Sequence, residues 1–200
     1  MRVILASQSA GRLEVLRRAG IDPEVVVSGV DESAVTSRDA SELTLALAEL
    51  KGQAVLDLVT DSPAVVIACD SVLEFRGQTF GKPKDAEQAR DRWRKMRGSG
   101  GVLHTGHFVA ARTNDTWRIS KRVANTVVRF ADLSDAEIDA YIETGEPLFV
   151  AGAFTIDGLG GPFIIRIDGD PHNVVGISLP LVRQMLLDLE IPWHTLWKSN

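Results

Sequence analysis

Short apolar runs alternate with amphipathic stretches along this chain, and the alternation predicts an α/β architecture. Arg2–Ala6 reads as a strand, leading through the polar turn Ser7-Gln8-Ser9 into a helix over Ala10–Arg18 that stops at Gly20. A second strand is predicted over Glu24–Ser28. A longer helix follows from about Ala40 to Leu58, with Leu43, Leu47, Leu50, Ala54 and Leu58 recurring at helical spacing. Ala64–Ala68 reads as a buried strand whose end is marked by Asp70, and Val72–Phe75 and Thr79–Phe80 form a hairpin about Gly77. Asp85 caps a helix that reaches about Arg97 and ends at Gly98.

In the second half, Val102–Arg112 and Thr116–Phe130 make an antiparallel pair turning at Thr113-Asn114-Asp115. Ser134-x-x-Glu137 is a capping box for a helix to Glu143, which stops at Gly145. A glycine-bearing segment, Ala151 to Gly161, leads into a strand over Phe163–Ile167, and Ser178 and Pro180 open a last helix, Leu181–Leu189. No repeat, low-complexity tract or linker intervenes. The expectation is a single domain over residues 1–200, a mixed twisted sheet flanked by helices, with two lobes and a central cleft.

Composition narrows the class without changing that picture. A chain of 200 residues with 44% hydrophobic and 24% charged positions is an ordinary soluble globular protein. Its net charge of −5 argues against broad nucleic-acid or acidic-membrane binding, although a small nucleotide needs only a local basic pocket. One cysteine excludes an internal disulfide framework and a thiolate zinc cage. No leader opens the sequence and no apolar run approaches the ~18 residues of a membrane span, so a cytoplasmic location is expected.

The candidate chemistry gathers at a few polar positions within these apolar runs. Ser7, Ser9 and Arg12 stand where a strand passes into a helix, a corner that can cradle an anion on free N–H groups and a guanidinium. Ser9 is equally an N-cap for its own helix. Asp31-Glu32 follow the second strand; an acidic loop pair is ordinarily solvated, and its functional reading is a Mg²⁺ ligand. Lys51 falls near the leucine stripe, where pattern alone favours a snorkelling side chain over a phosphate clamp. Asp70, after its apolar run, is a carboxylate at a strand end, fit for metal binding or general-base work. Cys69 beside it is a small buried filler. Lys82 sits on the Gly81-Lys82-Pro83 turn, which favours phosphate contact. His104 and His107 are three apart on a strand and face opposite ways, so no zinc site is expected, and Thr105 is a ligand-contact candidate. Asp157 lies in the glycine-bearing turn and either reads a base edge or serves the turn itself.

The order of these features resembles the Maf family of nucleoside triphosphate pyrophosphatases. The resemblance is carried by Leu5-Ala6-Ser7-x-Ser9-x-x-Arg12, Val30-Asp31-Glu32, Lys51, Cys69-Asp70-Ser71-Val72, Gly81-Lys82-Pro83, Thr105-Gly106, Ala151-Gly152 through Gly158, and Asn173-Val174-Val175-Gly176. The segment from Arg92-Trp93-Arg94 to His104-Thr105-Gly106-His107 looks like the actinobacterial branch. The resemblance implies hydrolysis of a nucleoside triphosphate to monophosphate and pyrophosphate with a divalent cation, Mg²⁺ or Mn²⁺. Asp70 would activate water, Glu32 and Asp70 would hold the metal, and Ser7, Ser9, Arg12, Lys51 and Lys82 would bind phosphates. House-cleaning of non-standard nucleotides and a role in septum formation are also associated with the family, and a homodimer is suggested by family habit and the tryptophan-bearing tail. A nucleotide-binding regulator of cell division with little turnover is the alternative, and a nucleotidyltransferase would require a longer basic first loop. Two departures stand out: Ser9-Ala10-Gly11-Arg12 replaces the usual Ser-Pro-Arg-Arg, and Asp157 stands where pyrimidine-preferring members tend to carry glutamine. An acid there accepts rather than donates, so the base preference of those members does not carry over.

Overall fold

The computed structural model describes residues 1–60, 63–114 and 116–198. Helix starts follow the side chains that satisfy their first N–H groups. Ser9 accepts from Arg12 N at the start of α1 (Ala10–Arg18), Asp39 from Glu42 N at α2 (Ala40–Leu56), and Asp85 from Gln88 N at α3 (Ala86–Met96). Ser134 and Glu137 complete the expected capping box of α4 (Asp135–Glu143). A short α5 (Pro171–Val175) was not expected; Ser178 caps α6, which spans Leu179–Asp188.

The strands are β1 (Arg2–Leu5), β2 (Glu24–Val25), β3 (Ala64–Phe75), β4 (Gln78–Phe80), β5 (Gly100–Arg112), β6 (Arg118–Phe130) and β7 (Ile164–Asp168). They form one mixed seven-stranded sheet in the order β2-β1-β3-β5-β6-β7, with β4 paired to β3. β1 is parallel to both neighbours, Leu5 lying opposite Val25 and Ile67, whereas β3–β4 and β6–β7 are antiparallel. The architecture is therefore α/β, as the alternation of runs predicts. The turn expected at Thr113-Asn114-Asp115 includes Asp115, which lies outside the described residues. No helix among the described residues is long and apolar enough to cross a membrane.

Two compact units divide the chain. The first comprises Met1–Asp70, Thr105–Ala124 and Gly176–Asn200; the second comprises Ser71–His104 and Asn125–Val175. The first unit is cored by Ile4, Ala48, Val55, Val66, Phe108 and Ala110. The second is built around the fully buried Trp93, whose ring meets Phe130, Tyr141 and Phe163 edge-on and whose Nε1–H donates to Ala153 O at 2.7 Å.

Three expectations are corrected. β3 does not end near Asp70 but continues to Phe75, because β4 takes up pairing at Leu73–Phe75 after β1 has paired only Ala64–Ile67. The strand expected over Glu24–Ser28 contracts to Glu24–Val25, an edge element with both residues exposed. The buried face of α2 is Ala40, Thr44, Leu47, Ala48, Gly52, Val55 and Leu56; of the predicted leucine stripe only Leu47 is on it, Leu43, Leu50 and Ala54 being half-buried and Leu58 lying beyond the helix, exposed. Small residues make this face because the helix lies close against β5. A Cβ at Gly106 would stand 2.2 Å from Thr44 O, and one at Gly52 would stand 2.2 Å from the Phe108 ring.

The tail packs onto the fold. Trp197 lies over Gly20, where a Cβ would approach the indole to 2.9 Å, Lys198 N donates to Gly20 O, and its ammonium pairs with Asp22.

Candidate active site

The first unit assembles its polar groups where β1 meets α1. Ala6 N donates to Ile67 O at 2.8 Å, which lays the turn after β1 beside the middle of β3. In that turn Ser7 Oγ accepts from Ser9 N at 3.2 Å and from Arg12 Nη1 at 3.0 Å. Arg12 is buried, and its Nε donates to Gly176 O at 2.7 Å, so the guanidinium is held from two sides. Ser9 caps α1 at the same time. The cap and anion readings of this corner are compatible, since the N-cap hydroxyl uses one acceptor lone pair and keeps its own proton to donate.

Beside this corner, β3 and the 3-10 turn Glu32–Ala34 bring two acids to the lysine of α2. Lys51 Nζ lies 2.5 Å from Asp70 Oδ1 and 3.1 Å from Glu32 Oε1. Asp70 and Lys51 are largely buried, their side chains 15% and 13% exposed, which makes this a desolvated pair rather than a surface contact. Lys51 reaches them because it borders the packed face of α2, one turn on from Leu47 and Ala48. Of the acidic pair, Asp31 is used by its own 3-10 turn, Glu32–Ala34, where it caps Ser33 N and is held below its ordinary pKa by the hydrogen bonds of Ser33. Glu32 remains directed to Lys51.

Cys69 links the two groups. Burial first, and then the charge of Asp70, push its thiol up to about 12 even though Arg12 and Lys51 pull the other way, so the sulfur senses all three residues. It is a neutral filler, as its apolar surroundings imply.

Glu32 and Asp70 are a hard-oxygen pair of the number Mg²⁺ ordinarily takes from protein while keeping water and substrate phosphate in its shell, so the residues fit such an ion. Among the described residues, no group of three or more His, Cys, Asp or Glu gathers.

The remaining candidates make none of those contacts. Thr105 is fully buried on β5, where its carbonyl faces His107 Nδ1 at 3.0 Å. His107 Nε2 accepts from Ser178 N at 2.9 Å, which makes Nδ1 the protonated nitrogen. His104 belongs to the second unit and lies 3.0 Å from Glu74. Lys82 and Asp157 are also in the second unit, both exposed. The turn carrying Lys82 is fixed by Gly81 O, which accepts from Arg92 Nη1 at 2.7 Å and from Gly152 N at 3.2 Å. Arg92 stacks over Phe80, and burial lowers its pKa.

Sequence reasoning missed Gly176 O, which aims Arg12, Arg92, which fixes the lysine turn, and Glu146, which binds the glycine-bearing segment. Each acts through a partner at least eleven residues away. The motifs containing Gly176 and Arg92 gave a local signal; Glu146 gave none.

A family model described as Maf-like protein matches residues 2–189. A protein of Cutibacterium acnes is 56% identical over 201 residues, covering 98% of this chain and 94% of its own. One of Salinispora tropica is 56% identical over 203 residues, covering 100% and 89%, and one of Streptomyces coelicolor is 54% identical over 196 residues, covering 98% and 94%. All three carry the name nucleoside triphosphate pyrophosphatase.

Proposed function

This chain belongs to the Maf family, and from that membership we propose that it hydrolyses nucleoside triphosphates to nucleoside monophosphate and pyrophosphate, with Asp70 as the proton acceptor. The observation that supports this most is the buried Asp70–Lys51 pair beside Glu32, next to the corner of Ser7, Ser9 and Arg12. In the step, water attacks the α-phosphorus, Asp70 takes the proton that water loses, and the bond to pyrophosphate breaks. Arg12, Lys51 and the serine hydroxyls of the first turn draw the charge of the phosphates. Lys82, in the second unit, takes the same role on the strength of the resemblance.

Glu32 and Asp70 would hold Mg²⁺ or Mn²⁺, which when bound supplies positive charge to the phosphate oxygens. Asp157, an acceptor when ionised, would meet a base edge that presents N–H donors. The reading places the enzyme with the nucleotide pool of the cytoplasm.

The test is incubation with Mg²⁺ or Mn²⁺ and a panel of standard and modified nucleoside triphosphates, with pyrophosphate resolved from orthophosphate. Pyrophosphate with matching monophosphate is expected, and Asp70→Asn should lower turnover by roughly 10²–10⁴-fold while nucleotide binding persists. Orthophosphate with a diphosphate would move the cut and break the assignment. Binding without release from any substrate would favour a regulator.

A further inference from the structure

The glycine-bearing segment of the second unit closes on one carboxylate. Glu146, at the start of a 3-10 turn after α4, accepts from Thr155 Oγ1 at 2.5 Å, Tyr141 OH at 2.9 Å, Leu159 N at 2.9 Å and Gly160 N at 3.0 Å. Thr155 N in turn donates to Tyr141 OH at 3.2 Å. Two glycines make room for this: a Cβ at Gly158 would stand 2.3 Å from Glu146 Oε2, and one at Gly160 would stand 2.4 Å from Tyr141 OH. Gly158 and Gly160 are therefore accounted for by approach to Glu146 and Tyr141.

Burial works to raise the Glu146 pKa, but the Thr155 hydroxyl, the two backbone N–H groups and Tyr141 outweigh it, and the carboxyl lies below its ordinary value. Tyr141 is shifted upward, chiefly by burial, and stays a donor through the neutral range. Donors are thus fastened at Thr155, Leu159 and Gly160, and Asp157 is the exposed acid between them.

We infer that Glu146 is the positioning residue for Asp157, holding residues 155–160 in one conformation so that the acid meets a nucleobase already aimed. The inference rests on the reading of Asp157 as a base contact. A fixed acceptor discriminates between guanine, which offers adjacent N1–H and N2–H donors, and thymine, whose single N–H is flanked by carbonyl oxygens. A loop free to turn its acid away loses that discrimination, because the mismatched base no longer confronts a fixed charge.

The test uses the full-length protein and the variants Glu146→Gln, Asp157→Asn and the double variant. Glutamine keeps the shape but places an N–H₂ among donors. Hydrogen exchange at the Leu159 and Gly160 amides should then accelerate at least about tenfold, the loss of charge-assisted bonds. The ratio of kcat/KM for guanosine triphosphate over thymidine triphosphate should fall by about tenfold, mainly through KM. Asp157→Asn should move the ratio as far, with the double variant adding nothing. Tyr141→Phe removes one donor to Glu146 and the acceptor of Thr155 N but leaves the other three bonds to Glu146, and should give a smaller shift of the same sign, which keeps the test open if Glu146→Gln fails to fold. A ratio that moves in Asp157→Asn but not in a folded Glu146→Gln overturns the positioning role alone. A ratio unmoved by Asp157→Asn removes the base-contact reading beneath it.

Discussion

A thiol wedged among an arginine, a lysine and a catalytic candidate acid invites the thought of a reactive cysteine, and Cys69 is the opposite. With its pKa pushed up to about 12, it is protonated in the fold, while an unfolded thiol titrates near ~8.5. The stability this contributes is complete below ~8.5, declines as pH rises past it, and is lost through about 12. Native protein at pH 8 should therefore resist iodoacetamide, whereas the urea-unfolded chain should be alkylated at Cys69. The urea midpoint of the wild type should drop between pH 8 and 10 by more than that of Cys69→Ala. Rapid labelling of the native thiol would contradict this. The inertness of Cys69 was legible in the sequence because apolar neighbours on one strand are a local fact. The partner that makes Asp70 half of an ion pair was not, because Lys51 lies nineteen residues earlier on another element.

At the scale of elements, the approach of α2 to β5 sets the position of Lys51. The backbone of Thr44 stands where a Cβ at Gly106 would go, and neither main chain can yield without shifting the helix or the strand. Gly106→Ala should therefore destabilise the protein by about 3 kcal/mol, and Gly52→Ala, which meets only the Phe108 ring, by less. Urea titration of both variants checks the order; equal costs would mean that the ring is as immovable as the backbone. Gly106→Ala should also reduce turnover beyond its effect on folded fraction, since displacing α2 carries Lys51 away from Asp70. Caps and the capping box were readable from sequence because each spans a single turn. The packed face of α2 was only partly readable, because beside Leu47 it is made by Ala40, Thr44, Ala48 and Gly52 as well as Val55 and Leu56, and a search for leucine periodicity passes over the small residues. The hairpin of β4 with the far end of β3 was readable from its turn at Gly77, but the continuity of β3 through Asp70 was not, because a polar residue after an apolar run reads as a strand end.

For the whole molecule, the segments of each unit depend on one another. Met1–Asp70 contains β1, α1, α2 and most of the apolar part of β3, yet it lacks Phe108 and Ala110, which complete its core. As an isolated fragment it should show no cooperative thermal transition by circular dichroism, and a sharp transition would contradict the assignment of its core. The chain passes from one unit to the other four times, after Asp70, His104, Ala124 and Val175. An even number of passages returns a path to where it began, so residues 1–70 and 176–198 belong to the first unit and both segments of the second lie between them. Each of its two segments is a closed excursion, tethered at both ends, and such a loop gives up less entropy on ordering than a free tail of equal length. A reporter meant for the unit of Lys82 and Asp157 must therefore be inserted within one of its loops.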